Sequence, residues 1–187
     1  MISPQLRHTV GTNDVFIGLL AHARTVPEHR LARWWSGATI AAVLDSRVVP
    51  DGHGVWREGD HTVAFYLEYD TGTETLSTVA AKLPAYRRVQ DLGGPRWPVL
   101  FVLPSRLREG NLRQRLAATG TSGVTVATTS QDRVDTDPAG PIWALAGDTG
   151  PRRRLIDVPC ELGSASPLNP GPATPDQDPL RLLREPD

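Results

Sequence analysis

Thr62-Val63-Ala64-Phe65-Tyr66-Leu67-Glu68-Tyr69-Asp70 decides the fold. Its β-branched and aromatic content reads as a strand that runs from apolar residues into two carboxylates. Upstream, across the turn Glu58-Gly59-Asp60, residues 48–56 read as a partner strand interrupted by Pro50-Asp51-Gly52, so the two form a hairpin. Downstream, Thr71-Gly72-Thr73-Glu74 fits a capping box before Leu76, Val79 and Leu83, which recur at helical spacing, and Pro84 kinks or ends that helix. Residues 97–103 are a continuous apolar run of strand length, suited to a central strand covered on both faces. An Arg-rich helix over 105–118 follows, stopped by Gly120. Then come a strand over 123–128, a loop over 130–142, and a last strand from Trp143 and 154–158. Towards the N-terminus, residues 1–11 read as irregular. A helix begins at Thr12 and ends before Pro27, and a short strand over 31–35 and a helix over 37–44 come next. A hairpin that feeds a helix and a buried strand implies an α/β fold, a mixed central sheet flanked by helices. The domain spans 1–160. Residues 161–187, with six prolines, read as a disordered Pro-rich tail.

Composition narrows the function classes. The 187 residues include 17 Gly and 17 Pro, which excludes a coiled coil or helical solenoid. No apolar run reaches membrane-spanning length and the N-terminus lacks signal-peptide character, so a cytoplasmic protein is expected. The single Cys160 excludes a disulfide scaffold and a cysteine-rich zinc site. Net charge is −1, and the basic residues are 19 Arg and one Lys, Lys82.

The densest chemistry lies within 50–82. Residues two apart on a strand share a face, so Glu68 and Asp70 project together, and hairpin pairing brings Asp51 alongside. Three neighbouring carboxylates are costly as anions, and a divalent cation with hard oxygen ligands, Mg²⁺ or Mn²⁺, removes that cost. Such an ion activates water and stabilises charge on a phosphoryl group. The same residues have plainer readings: Asp51 before Gly52 shapes a turn, Glu68 and Asp70 pair with arginines, and Glu74 caps a helix.

Several stretches together resemble a known family: Val49-Pro50-Asp51-Gly52-His53-Gly54-Val55-Trp56, residues 63–74, Lys82-Leu83 with Tyr86, Trp34-Trp35, and residues 96–104. This set, over roughly 8–158, is similar to the actinobacterial replication-relaxation proteins, associated with plasmid replication and relaxation of plasmid DNA. It also resembles the PD-(D/E)XK superfamily, the restriction-endonuclease-like fold. The resemblance implies that Asp51 is the metal-binding aspartate and Glu68 the second acidic ligand. The superfamily's lysine would stand where Asp70 is, and some relatives carry Glu-x-Asp. Lys82 is then a migrated catalytic lysine, a phosphate contact or a surface residue. From a helix start near Thr71 it lies about 15 Å along the axis, a gap that folding back across the sheet would shorten. Family members often carry a winged helix ahead of this region. None fits in residues 1–12, so a truncated chain or a separate DNA-targeting or relaxosome protein is expected.

Residues 84–115 hold seven arginines against Asp91 and Glu109. Of these, Arg87, Arg88, Arg106, Arg113 and Arg115 form a candidate DNA-binding stripe, with a solvated helix face as the alternative. His8, His22, His29, His53 and His61 show no metal-ligand spacing, and His53 reads as a hairpin residue rather than a base. Tryptophans 34, 35, 97 and 143 read as core, and Trp56 as core or hairpin packing with stacking on a base as the alternative. The functional expectation is a metal-dependent endonuclease or nickase-like protein acting on plasmid DNA, with catalytic Asp51, Glu68, Asp70 and Lys82. The alternatives are a non-catalytic DNA- or protein-interaction module on a degenerate nuclease fold, or a regulatory domain without DNA contact.

Overall fold

The computed structural model describes residues 4–182. The elements that build its sheet and flanking layers are α1 (Pro4–Thr25), β1 (His29–Ser36), α2 (Gly37–Val43), β2 (Gly52–Glu58), β3 (His61–Tyr69), α3 (Leu76–Ala80), α4 (Leu83–Asp91), β4 (Val99–Leu103), α5 (Arg106–Thr119), β5 (Val126–Ser130), α6 (Gln131–Val134) and β6 (Ala144–Leu145). The six strands lie in sequence order in one mixed sheet. β1, β2 and β3 pair antiparallel, β3, β4 and β5 pair parallel, and β6 closes the edge antiparallel to β5. The expected hairpin and the central 97–103 strand are both present, giving an α/β architecture.

Side-chain alternation divides the core into two layers. Ala64, Tyr66, Val99, Phe101 and Leu103 face α2, α3, α4 and α5, meeting Ile40, Val79, Leu83, Tyr86, Leu112 and Leu116. Val63, Phe65, Leu67, Leu100 and Val102 face the other way, meeting Phe16 and Leu19 of α1 together with Trp143 and Leu155. Every position of β4 is therefore buried, which is why its sequence is apolar without interruption. Close approach of α1 to β2 requires Gly54, where a Cβ would fall 2.4 Å from the Phe65 ring and 2.8 Å from Phe16.

Several local expectations are corrected. Residues 4–11 are helical rather than irregular; Pro4 suits a first turn, where its missing N–H has no intrahelical partner. Residues 1–3 lie outside the described residues. The 71–83 helix is replaced by two short ones. The Asp70 carboxylate accepts the Gly72 N–H at 2.8 Å, turning the chain, and Thr75 rather than Thr71 caps α3. Pro84 sits in the first turn of α4, so the break falls at Ala81-Lys82. The loop over 130–142 contains α6, and Leu155–Asp157 is a 3₁₀ turn rather than a strand.

Residues 161–182, read as a disordered tail, pack onto the outer strands. Arg33 of β1 is fully buried. It donates from Nε to Gln177 Oε1 at 2.8 Å, from Nη1 to the Gly171 carbonyl at 3.2 Å and from Nη2 to the Pro172 carbonyl at 3.0 Å. A buried guanidinium needs acceptors, and the proline-rich segment supplies them. Residues 183–187 lie outside the described residues. Among the described residues, no helix is long and apolar enough to cross a membrane.

Candidate functional site

Antiparallel register creates the site. Gly52 pairs with Leu67, so Asp51 stands opposite Glu68 just beyond the end of the ladder. The Asp51 N–H donates to the Leu67 carbonyl at 3.0 Å, and Asp51 Oδ2 accepts the Tyr69 N–H at 2.7 Å. The Asp51 carboxylate is thus held by backbone at the carboxyl end of β3. His8 of α1 reaches the same oxygen, with Nε2 3.0 Å from Oδ2.

Glu68 occupies the face of β3 covered by α3 and α4, with a side chain only 2% exposed. Lys82 Nζ donates to Glu68 Oε2 at 2.6 Å, and the Tyr86 hydroxyl donates to Oε1. The break between α3 and α4 places Lys82 here and removes the axial distance that a single helix would have imposed. Glu74 Oε2 lies 3.9 Å from the same ammonium.

Charge coupling follows from this geometry. Burial pushes the Glu68 carboxyl up to about 7, the Asp51 charge adds to the rise, and Lys82 and Tyr86 oppose it. The hydrogen bond to Asp51 raises the His8 imidazole above its ordinary value, with burial acting in the opposite direction. For Lys82, burial acts to lower the ammonium, but the charge and hydrogen bond of Glu68 outweigh it and raise the group. Burial, then the Glu68 charge, lifts the Tyr86 hydroxyl well above its usual range, so it remains a donor.

Asp70 does not join this pair. Beyond the end of β3 its carboxylate meets Arg108 in the first turn of α5, accepting from Nε and, at 3.2 Å, from Nη2. Arg108 also donates to the Glu74 carbonyl at 2.6 Å, tying α5 to the loop before α3. Asp51, Glu68 and Lys82 therefore come together, and Asp70 is neutralised separately. Among the described residues, no group of three or more His, Cys, Asp or Glu side chains is arranged to hold a metal ion. The donors that fit a hard cation are the two carboxylates of Asp51 and Glu68. Both contacts to Asp51 fall on Oδ2, and Mg²⁺ commonly takes only one or two protein carboxylates, with water and phosphate completing its shell.

His53 is a core residue, as its hairpin position suggested. It is fully buried, with Nδ1 2.9 Å from the Phe65 carbonyl oxygen and its ring stacked on Trp97 at 4.4 Å between centroids. Burial pushes it down to about 3, which removes it as a base near neutrality. Trp56 is buried as well, its Nε1 donating to Glu58.

The arginine stripe is not a bare cationic face. Arg87 pairs with Asp91 at 2.8 Å and Arg106 with Asp132 at 2.7 Å. Arg113 donates to the Asp148 carbonyl at 2.9 Å, and Arg115 bonds the Ser77 hydroxyl. Arg88 is exposed. Three residues of the site were not selected from sequence. His8 gave no signal, because its helix read as irregular. Tyr86 belonged to the resemblance without a role, and Arg108 was one of seven arginines.

Beside the cluster lies a cavity of about 250 Å³ lined by His8, Tyr69, Asp70, Thr71, Thr73, Glu74 and Lys82; the carboxylates of Asp51 and Glu68 sit behind His8 and Lys82 rather than in its lining. The family model described as replication-relaxation matches residues 1–103, from α1 through β4. That span holds His8, Asp51, Glu68, Asp70, Lys82 and Tyr86 but not Arg108. No curated protein and no solved structure matches the chain.

Proposed function

The chain belongs to the replication-relaxation family, and from that premise we propose that it is a metal-dependent, nickase-like endonuclease of plasmid DNA on a restriction-endonuclease-like core. The observation that carries this reading is that Asp51, just ahead of β2, stands opposite Glu68 of β3, with Lys82 2.6 Å from Glu68. Asp51 and Glu68 hold the cation, Mg²⁺ or Mn²⁺. When bound, that cation stabilises charge on the attacked phosphoryl group and lowers the pKa of a water ligand. Two adjacent carboxylates, one with its proton affinity raised to about 7, are the environment that a positive charge relieves.

The chain's own residues prepare the site. The Tyr69 N–H and His8 fix the Asp51 carboxylate, and Tyr86 fixes Glu68. Lys82, partly exposed at the cavity, meets the entering phosphate as a point charge. Asp70 acts through Arg108 to brace the loop before α3 and has no direct part. Cutting one strand releases superhelical tension, which connects the chemistry to relaxation. A separate DNA-targeting or relaxosome protein directs the enzyme to its plasmid site in the cytoplasm.

A second reading has its own support. Protein donors already occupy all three carboxylates, so a non-catalytic DNA- or protein-interaction module on a degenerate nuclease fold also accounts for the geometry. Supercoiled plasmid incubated with and without Mg²⁺ separates the two. Nicked circles from the native protein, lost in Asp51→Asn and Glu68→Gln, are the expected result. Absence of nicking together with no heat of Mg²⁺ or Mn²⁺ binding in calorimetry favours the module.

A further inference from the structure

A second cavity, of about 430 Å³, adjoins the first and shares Tyr69, Asp70 and Thr71 with it. It lies over the carboxyl ends of the three parallel strands, since Asp70 follows β3, Pro104 follows β4 and Gln131 follows β5. That edge of an open α/β sheet is where ligands are commonly received. Leu6 and Val10 of α1, 51% and 48% exposed, form an apolar wall with Pro104. Its polar lining is Arg7, Asp14, Gln131, Tyr69, Asp70 and Thr71. The Tyr69 hydroxyl donates to Gln131 Oε1, which leaves the amide NH₂ of Gln131 for another partner.

We propose that this cavity receives an unpaired nucleobase of the bound DNA, so that the DNA it takes is single-stranded or locally melted. The inference rests on the DNA-acting reading above and deepens it. A base offers two apolar faces for Leu6, Val10 and Pro104 and a hydrogen-bonding edge for Gln131 and Asp14. In a stacked duplex those faces are hidden, and exposing them costs unstacking energy that is least where the strand is already open. Arg7 lines this cavity and Lys82 the adjoining one, so each cavity brings a cation for the phosphates that flank the base. Negative supercoiling opens duplex DNA, so a supercoiled plasmid presents such a base and a nicked one does not.

The test is fluorescence anisotropy of a labelled single-stranded oligonucleotide and of its duplex, in EDTA, so that cleavage plays no part. The native protein binds the single strand about tenfold tighter, equivalent to about 1.4 kcal/mol. Val10→Trp, which fills the cavity, removes that preference while thermal melting shows an intact fold; Leu6→Trp is read in the same way if Val10→Trp unfolds. Equal affinity for both DNA forms, no binding to either, or a preference untouched by both tryptophan variants overturns the proposal. Single-strand preference without plasmid nicking removes the nuclease reading and leaves this one standing. Nicking without the preference removes only this one.

Discussion

Acidification acts on the core through His53. Its ring is fully buried against Trp97, and burial depresses its pKa from 6.5 to about 3. The unfolded chain takes up a proton below about pH 6.5, whereas the native state refuses one until about pH 3, so stability falls as pH drops through that window. At about 1.36 kcal/mol per unit, the full loss is about 5 kcal/mol, of which about 3 kcal/mol has gone by about pH 4. Glu68 works in the opposite direction. Its native pKa is raised to about 7, so between about 4.5 and 7 the native state holds the extra proton and stability rises on acidification. The wild-type curve is therefore a composite, and His53→Phe isolates one component by keeping a ring on Trp97 while removing the titration. Urea unfolding followed by tryptophan fluorescence, repeated across this range, gives both curves. The variant starts less stable near neutrality, having lost the contact with the Phe65 carbonyl, and the wild type loses about 3 kcal/mol relative to it by about pH 4. Parallel curves would refute the reasoning, because they would mean that His53 is solvated or protonated in the native state.

The Asp70–Arg108 pair, with side chains 4% and 21% exposed, is a partly buried ion pair at the cavity wall. Arg108→Met removes its charge-assisted hydrogen bonds and costs about 1.5–3 kcal/mol, and adding Asp70→Leu restores part of it, as read from denaturation midpoints. A Cβ at Gly11 would lie 2.2 Å from the Tyr69 ring. Gly11→Ala therefore costs about 1–3 kcal/mol by overpacking, measured by thermal melting, and an unchanged melting temperature would show that α1 shifts freely over Tyr69. Among the arginines, Arg88→Gln lowers the slope of log affinity for DNA against log salt by about one. Arg87→Gln, whose native charge is shared with Asp91, lowers it less, and equal slopes would put neither residue at phosphate.

Sequence alone carried what depends on neighbours along the chain. The β-branched and aromatic content of 62–70, the turn at 58–60 and the Pro50-Asp51-Gly52 interruption specified the hairpin and, through its register, the meeting of Asp51 with Glu68. The apolar 97–103 run specified a strand covered on both faces. The helix over 105–118 was legible too, with Ser105 as its cap rather than its first residue: its side chain accepts the Arg108 N–H. These are short-range consequences of strand pleat and capping chemistry. What compensates each carboxylate was decided by packing. His8 stands on α1, Lys82 in the break between α3 and α4, and Arg108 on α5, and their arrival at Asp51, Glu68 and Asp70 depends on where those segments cross the sheet. Spacing along the chain placed the three carboxylates on one side of the sheet, but it could not show that Arg108 would draw Asp70 away from the other two. The segment 161–182 follows the same logic. Its composition describes a chain unable to bury a core of its own, and it is ordered where Arg33, buried in β1, takes its hydrogen-bond acceptors from it: the Gln177 side-chain oxygen and the Gly171 and Pro172 carbonyls.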